Sequence, residues 1–264
     1  MLPTIDGLDH VVIAVRDLQA AADEWGRLGF TVSPRGLHSP HMGSGNHTIM
    51  FGEDYVELLG VVTPQPHNAS MRRFLEGREG LERCAFTTRD AAAGVAALRE
   101  RGLAGVGPIE FGRPVPVPGG GETEARFSVF QWPEEEAPGG VRVFACQHHT
   151  REAVWIPQLQ RQGNGVTGIR RVLVADADPD GAAAHMARLL DGEARADGAF
   201  RVVETGPRRA GIAFAPRGAI AEAYPGLDAD DMPERGGAGL VLRTALTRPP
   251  AVATGCALVF TTDR

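Results

Sequence analysis

Polar and apolar positions along the chain fall into a repeating order. Gly7-Leu8-Asp9-His10-Val11-Val12-Ile13-Ala14-Val15 is a short aliphatic and β-branched run that reads as a mostly buried strand carrying one imidazole. Asp17 then opens an Ala-rich amphipathic stretch that closes at Gly29, in the manner of an N-cap and a C′ glycine. Gly80-Leu81-Glu82-Arg83-Cys84-Ala85-Phe86-Thr87-Thr88 lies over the first strand without a gap, with Asp90 over Asp17 and Gly102 over Gly29. A third, weaker copy is Gly168-Ile169-Arg170-Arg171-Val172-Leu173-Val174-Ala175, followed by Asp178 as a cap and Gly192 near the helix end. Repeats of this kind predict repeated supersecondary units. The His10 position is held by Arg83 and Arg171 in the later copies, so the fold element repeats and the imidazole does not.

Each unit reads as β-α-β-β-β. In the first, Phe30 to His38, Asn46 to Phe51 and Tyr55 to Val61 supply the later strands, and Ala69 to Gly77 a short helix. In the second, the strands are Ile109 to Phe111, Ala125 to Trp132 and Val141 to Gln147, separated by expanded loops at Pro114 to Glu124 and Pro133 to Gly140. In the third they are Phe200 to Thr205, Ala210 to Ala215, Gly239 to Thr244 and Ala257 to Thr262, with Asp228 to Gly239 as a polar loop. The expected class is therefore α+β, with curved mixed sheets around a concave pocket. Residues 1–150 form paired modules (about 7–62 and 80–149), 151–166 a connector, and 167–264 a third, partly degenerate module. That module has no complete partner in the chain and suits either a cap on the first two or the support of a homodimer.

Composition narrows the function. At 264 residues, 43% hydrophobic and 23% charged, the chain can bury a full core. A net charge of -6 with no basic block argues against nucleic acid as a partner. Every basic residue is Arg, which removes Schiff-base chemistry on lysine. Three widely spaced cysteines, Cys84, Cys146 and Cys256, sit in apolar runs and read as buried thiols. No apolar run approaches a bilayer span and no secretory leader is evident, so a cytoplasmic protein acting on a small-molecule substrate, away from membranes, is expected.

The candidate chemistry centres on His10 and Glu57. Glu57 lies mid-strand between Val56 and Leu58, where a carboxylate is costly unless paired, protonated or bound to a metal. Strands one and four of one curved sheet can turn both side chains into its concavity, and imidazole plus carboxylate is a ligand set for Zn, Fe(II), Mn or Ni. Alone, each residue reads more readily as a satisfied core His or a solvent-facing Glu. Gln147-His148-His149 ends the last strand of the second unit, either as a plain strand end or as a third ligand or general base at His148. Asn46 and His47 begin a strand beside a Gly-rich loop and could line the pocket. His38, His41, His67 and His185 carry no spacing signal.

Leu8 to Val15, Asp17-Leu18, Leu28-Gly29-Phe30, the Gly45-Asn46-His47 to Phe51-Gly52 turn and Tyr55-Val56-Glu57-Leu58 resemble the opening module of the vicinal oxygen chelate superfamily. With Gln147-His148, Thr150, Glu152, Val154-Trp155 and Asn164-Gly165, the chain looks like its glyoxalase-like branch over about the first two thirds of its length. That superfamily includes glyoxalases, ring-cleaving dioxygenases, epimerases, thiol transferases and metal-free antibiotic-binding proteins. The resemblance implies paired modules around a divalent metal that chelates vicinal oxygens and stabilises an enolate or oxyanion. On it, His10 and Glu57 match the first-module ligands, while the usual first-strand ligand of the second module falls on Arg83, which cannot ligate a metal. His148 is the substitute ligand, giving a metal set of His10, Glu57 and His148, with Glu57 and His148 catalytic. Asn46, His47, Arg83, Gln147 and Trp155 are the substrate-binding candidates. The alternative is a metal-free binding or sequestering protein of the same fold, with Arg83 anchoring an anionic or polar ligand and Trp132 or Trp155 stacking on it.

Overall fold

The computed structural model describes residues 2–117 and 119–262. The first unit contains β1 (Ile5–Val15), α1 (Leu18–Arg27), β2 (Gly36–Leu37), β3 (Ser44–Met50) and β4 (Tyr55–Val61). Helix α2 (Ala69–Gly77) leads to β5 (Gly80–Thr88), α3 (Ala91–Glu100), β6 (Val106–Pro116), β7 (Glu122–Gln131) and β8 (Arg142–His148). The strands form one eight-stranded sheet in the order β2-β3-β4-β1-β5-β8-β7-β6. Strand β6 comes round to meet β2, so the sheet curls into a nearly closed barrel. The helix caps are those the sequence predicts: the side chains of Asp17 and Asp90 accept from backbone N–H groups of the first turns of α1 and α3.

The remaining chain builds a second sheet. Its elements are β9 (Val166–Ala175), α4 (Pro179–Leu190), β10 (Ala194–Asp197), β11 (Phe200–Val203), β12 (Gly211–Ala215), α5 (Arg217–Ala223), β13 (Gly236–Thr244), β14 (Ala251–Ala253) and β15 (Cys256–Thr261). The order β10-β11-β12-β9-β13-β15-β14 follows the plan of the first sheet. In each sheet a central antiparallel pair, β1 with β5 or β9 with β13, is flanked by parallel neighbours.

Here the third unit gains a partner. Gly236-Gly237-Ala238-Gly239 begins a fourth copy that has strands and no helix corresponding to α1. Both central pairs carry the same irregularity. One residue is passed over in the pairing at Asp9, Glu82, Arg170 and Ala238, each two positions after the glycine that opens its copy. Three of those glycines, Gly7, Gly80 and Gly236, have φ between 120° and 131°, a backbone that L side chains rarely adopt. Other departures are local. Only Gly36–Leu37 of the Phe30 to His38 segment pairs as a strand. Strands β6 and β7 extend well into the expected Pro114 to Glu124 loop, of which Pro118 lies outside the described residues.

The two sheets stand back to back. Val11, Ile13, Cys84 and Phe86 of the first sheet share one buried cluster with Val172, Val174, Leu240 and Leu242 of the second and with the inner faces of α1, α3 and α4. The approach is close. A Cβ on Gly237 would lie 2.4 Å from the Leu81 side chain, so only glycine fits that crossing. Among the described residues no helix is long and apolar enough to cross a membrane. With its backs covered, the first sheet presents its other, concave face as the place for a site.

Candidate active site

The bulge in β1 decides what that face offers. Such an extra residue re-aims side chains, and here Asp9 joins His10 on the concave side. Asp9 is fully buried and accepts from His10 Nδ1 at 2.7 Å, from His148 Nε2 at 3.0 Å and from Thr87 Oγ1 at 2.8 Å. Burial alone would make this carboxyl a weaker acid and raise its pKa. The charge of His148 and the hydrogen bonds from His10 and His148 reverse this and hold the carboxyl well below the usual range. An ionised Asp9 can only accept, so His10 carries its proton on Nδ1 and turns Nε2 inward. The His10 ring is fixed by stacking on Tyr55, with centroids 4.3 Å apart, and by the edge contact with Phe144.

Glu57 faces it from β4, with Oε2 3.8 Å from His10 Nε2. Asn46 Nδ2 donates to Glu57 Oε1 at 2.5 Å, and His38 Nε2 stands 3.9 Å from the same oxygen. Burial opposes the charge of Glu57, but His10, then His38, the Asn46 hydrogen bond and Arg113 lower its value below the ordinary one. Burial, with Arg113 and His67, pushes His38 down to about 4 against the pull of Glu57. His38 is therefore uncharged at neutral pH; Asn46 holds the Glu57 carboxylate by a hydrogen bond beside His10, and Arg113 acts on it only from a distance.

Across the floor stands a cationic group. Val12 pairs with Glu57 on one side and with Arg83 on the other. Glu57 and Arg83 are thus two strand spacings apart, about 10 Å between backbones. Arg83 and Arg142 both donate to the buried carboxylate of Glu82, the bulge residue of β5, and Arg142 also donates to Ser70 Oγ of α2 at 2.7 Å. Burial and the nearby charges of His41, Arg83 and Arg142 hold His67 below the usual imidazole range. The cavity between these groups has a volume of about 420 Å3, and Phe111, Phe127 and Phe144 supply apolar wall. That size and polarity suit a small molecule.

The structure brings His10, Glu57 and Asn46 together, and places Arg83 on the same cavity. His148 bonds the same Asp9 oxygen as His10 but does not line the cavity, and it packs edge-on against Phe127 and Trp155. His47 points the other way and bonds the Ser33 carbonyl. Gln147 Oε1 accepts from the Ala91 N–H at the start of α3. Trp155 packs on Tyr55 with Arg151 over its ring, and Trp132 lies in the core against Phe86 and Phe130. Neither indole lines the cavity. Asp9, His38, Arg113 and Arg142 are the site residues that the sequence reading passed over. The signal for Asp9 was an acid beside the His in a buried strand, repeated as Glu82-Arg83.

The divalent metal implied by the resemblance can be tested on these donors. Tyr55 pairs with His10, and Arg142 pairs with Arg83. Two residues further along each strand, Phe144 therefore corresponds to Glu57. The second module offers Arg83 and Phe144 where the first offers His10 and Glu57. Among the described residues, the group of three ligand atoms that all lie within 4.8 Å of one another is that of Asp9, Cys146 and His148. Asp9 there is already engaged by three donors, and burial pushes the Cys146 thiol well above its ordinary value. The residues present do not complete the implied metal set.

The family pattern of the glyoxalase-like domain matches residues 8–190. The chain belongs to the glyoxalase-like domain family. This family member is similar along nearly its whole length to a crystal structure of a hypothetical protein from Staphylococcus aureus. The TM-score is 0.75 at 12% identity, over 97% of this chain and 98% of that one. Methylmalonyl-CoA epimerase from Mycobacterium tuberculosis is similar over 57% of this chain and 93% of its own, with TM-score 0.44 and 19% identity. No curated protein matches.

Proposed function

We propose that the barrel of the first sheet is the active site of a metal-independent enzyme that moves a proton on a small oxygenated anion. Arg83 and Arg142 hold the anionic end, and Glu82 keeps their guanidinium groups in place. Glu57, ionised and fixed by Asn46, is the base that takes a proton from a carbon beside a carbonyl. The electron pair stays on the substrate as an enolate, whose oxygen charge the arginines stabilise. His10 is the second proton-handling group. Its Nδ1 proton is committed to Asp9, so its Nε2 is the atom free to accept a proton and return it. No step runs through a metal, because the chain does not supply the chelating set.

The observation that carries this reading is the facing pair: an Asp9-oriented His10 and an Asn46-anchored Glu57, buried on one cavity with Arg83 across the floor. The test is proton NMR in D2O with a panel of small 2-oxo and 2-hydroxy acids. Catalysed exchange of a C–H proton is expected for at least one acid, falling about 100-fold or more in Glu57→Gln. Acids that bind and stabilise the protein without any exchange would overturn the enzyme and assign the cavity to sequestration.

A further inference from the structure

A second cation faces the cavity from the other side of Glu57. Arg113 lies on β6, where the barrel closes against β2, and it is 8% exposed. Its hydrogen bond among the described residues is a long one, 3.5 Å from Nη1 to the Pro114 carbonyl, and it has no ion pair within 4.0 Å there. A guanidinium carries five donors and is always charged, so a buried one needs acceptors. The barrel makes room for it. A Cβ on Gly36 of β2 would stand 2.9 Å from Arg113 Nη1 and 2.6 Å from Asn46 Oδ1, so glycine at that seam lets the arginine lie beside Asn46.

Glu57 is the obvious counter-charge, yet its Oε1 is taken by Asn46 and its Oε2 looks toward His10. Around the wall the order runs Arg83 on β5, Val12 on β1, Glu57 on β4, Asn46 on β3, Gly36 on β2 and Arg113 on β6. The base thus stands between two cationic ends, one built from Arg83 and Arg142 and the other from Arg113.

The geometry points to a substrate that is a small dianion, with one anionic group for the Arg83–Arg142 pair and a second, at its other end, for Arg113. This deepens the proposed function and rests on it for the first anchor. The reacting carbon would lie between the two charges, over Val12 and beside Glu57. Carboxylate and phosphate share the chemistry that Arg113 would recognise.

Titration calorimetry tests this in Glu57→Gln, where binding is read without turnover, so that failure of the exchange assay leaves the result intact. The probes are succinate, glutarate and adipate, each against the monoacid of equal chain length, with 2-carboxyethylphosphonate to separate phosphate-like from carboxylate ends. The best dianion is expected to bind at least tenfold more tightly than its monoanion. Adding Arg113→Met should bring the two within about twofold and leave the monoanion affinity nearly unchanged. Arg113→Lys, which keeps the charge without the planar fork, should restore part of the preference. Equal binding of dianion and monoanion, no measurable dianion binding, or a preference that survives Arg113→Met would each overturn the proposal. Where Arg113→Met does not fold, the ratio with Arg113 in place decides alone.

Discussion

The molecule holds two sheets of one plan; among the described residues the first encloses a polar cavity and the second is filled by apolar side chains. In the first, the positions that follow the bulges carry His10 and Arg83, and the bulges carry Asp9 and Glu82. In the second, the same places hold Arg171, Gly239, Arg170 and Ala238. Arg171 pairs with Asp197, and the concave face is filled by Leu173, Phe200, Val241 and Val259 under Ile220 of α5 and Met232. Back, bulge and strand order are common to both halves. Chemistry is set by a handful of inward side chains and by whether a helix occupies the hollow.

The sharpest way to break this contrast is to remove the carboxylate that organises the first hollow. Asp9→Asn leaves two imidazoles without their shared anion. Urea unfolding is expected to show a loss of about 3–5 kcal/mol, as for one partner of a buried ionic group, together with loss of the exchange activity. A variant as stable as the parent would mean that the Asp9 network is ornamental. In the second hollow, Ile220→Ala should cost about 2–4 kcal/mol through the cavity it leaves, and should leave acid binding in the first hollow untouched. A change in that binding would show that the filled hollow is coupled to the open one.

A smaller effect lies where the halves meet. Asp54, in the β3–β4 turn, accepts from the Ile169 N–H of β9 at 3.1 Å, and burial raises its value to about 7 from an ordinary 3.8. The folded protein therefore holds an extra proton between about pH 4 and pH 7, and stability falls as pH rises through that window. Asp54→Asn keeps an acceptor and removes the titration. It should flatten this slope and leave the variant more stable by about 1–3 kcal/mol at pH 8. An unchanged slope in thermal unfolding from pH 4.5 to 8 would exclude Asp54 as its source. Smallest of all is the expected effect of chelator. Elemental analysis should find well under one divalent metal per chain, and EDTA should leave the melting temperature where it was. About one metal per chain would overturn the metal-free reading.

Much of the first hollow was legible in the chain. The strand copies at Gly7, Gly80 and Gly168 are aligned by simple alternation and capping, and Glu57 among aliphatics announces a buried carboxylate. The fourth copy was not, because it opens on Gly236-Gly237-Ala238-Gly239 and has no amphipathic helix to mark its period. His38 comes to Glu57 through the β2–β3 pairing, whereas Arg113 joins that end of the cavity because β2 and β6 meet when the sheet closes, a contact between segments some 75 positions apart that no local pattern encodes. Trp155 and His47 misled for the opposite reason. Aromatic and imidazole rings advertise a pocket, and the pleat turns His47 to the other face.

The shared back of the two sheets has a consequence for inheritance. With one cluster drawn from both halves, the portion that carries no polar hollow is a keel and cannot be shed. Losing it would strip Val11, Ile13, Cys84 and Phe86 of their cover and leave an apolar slab in water. Selection on the open half therefore maintains the closed half as well, and mutations that loosen α4 or β13 would behave as loss-of-function alleles without touching any group that handles a proton.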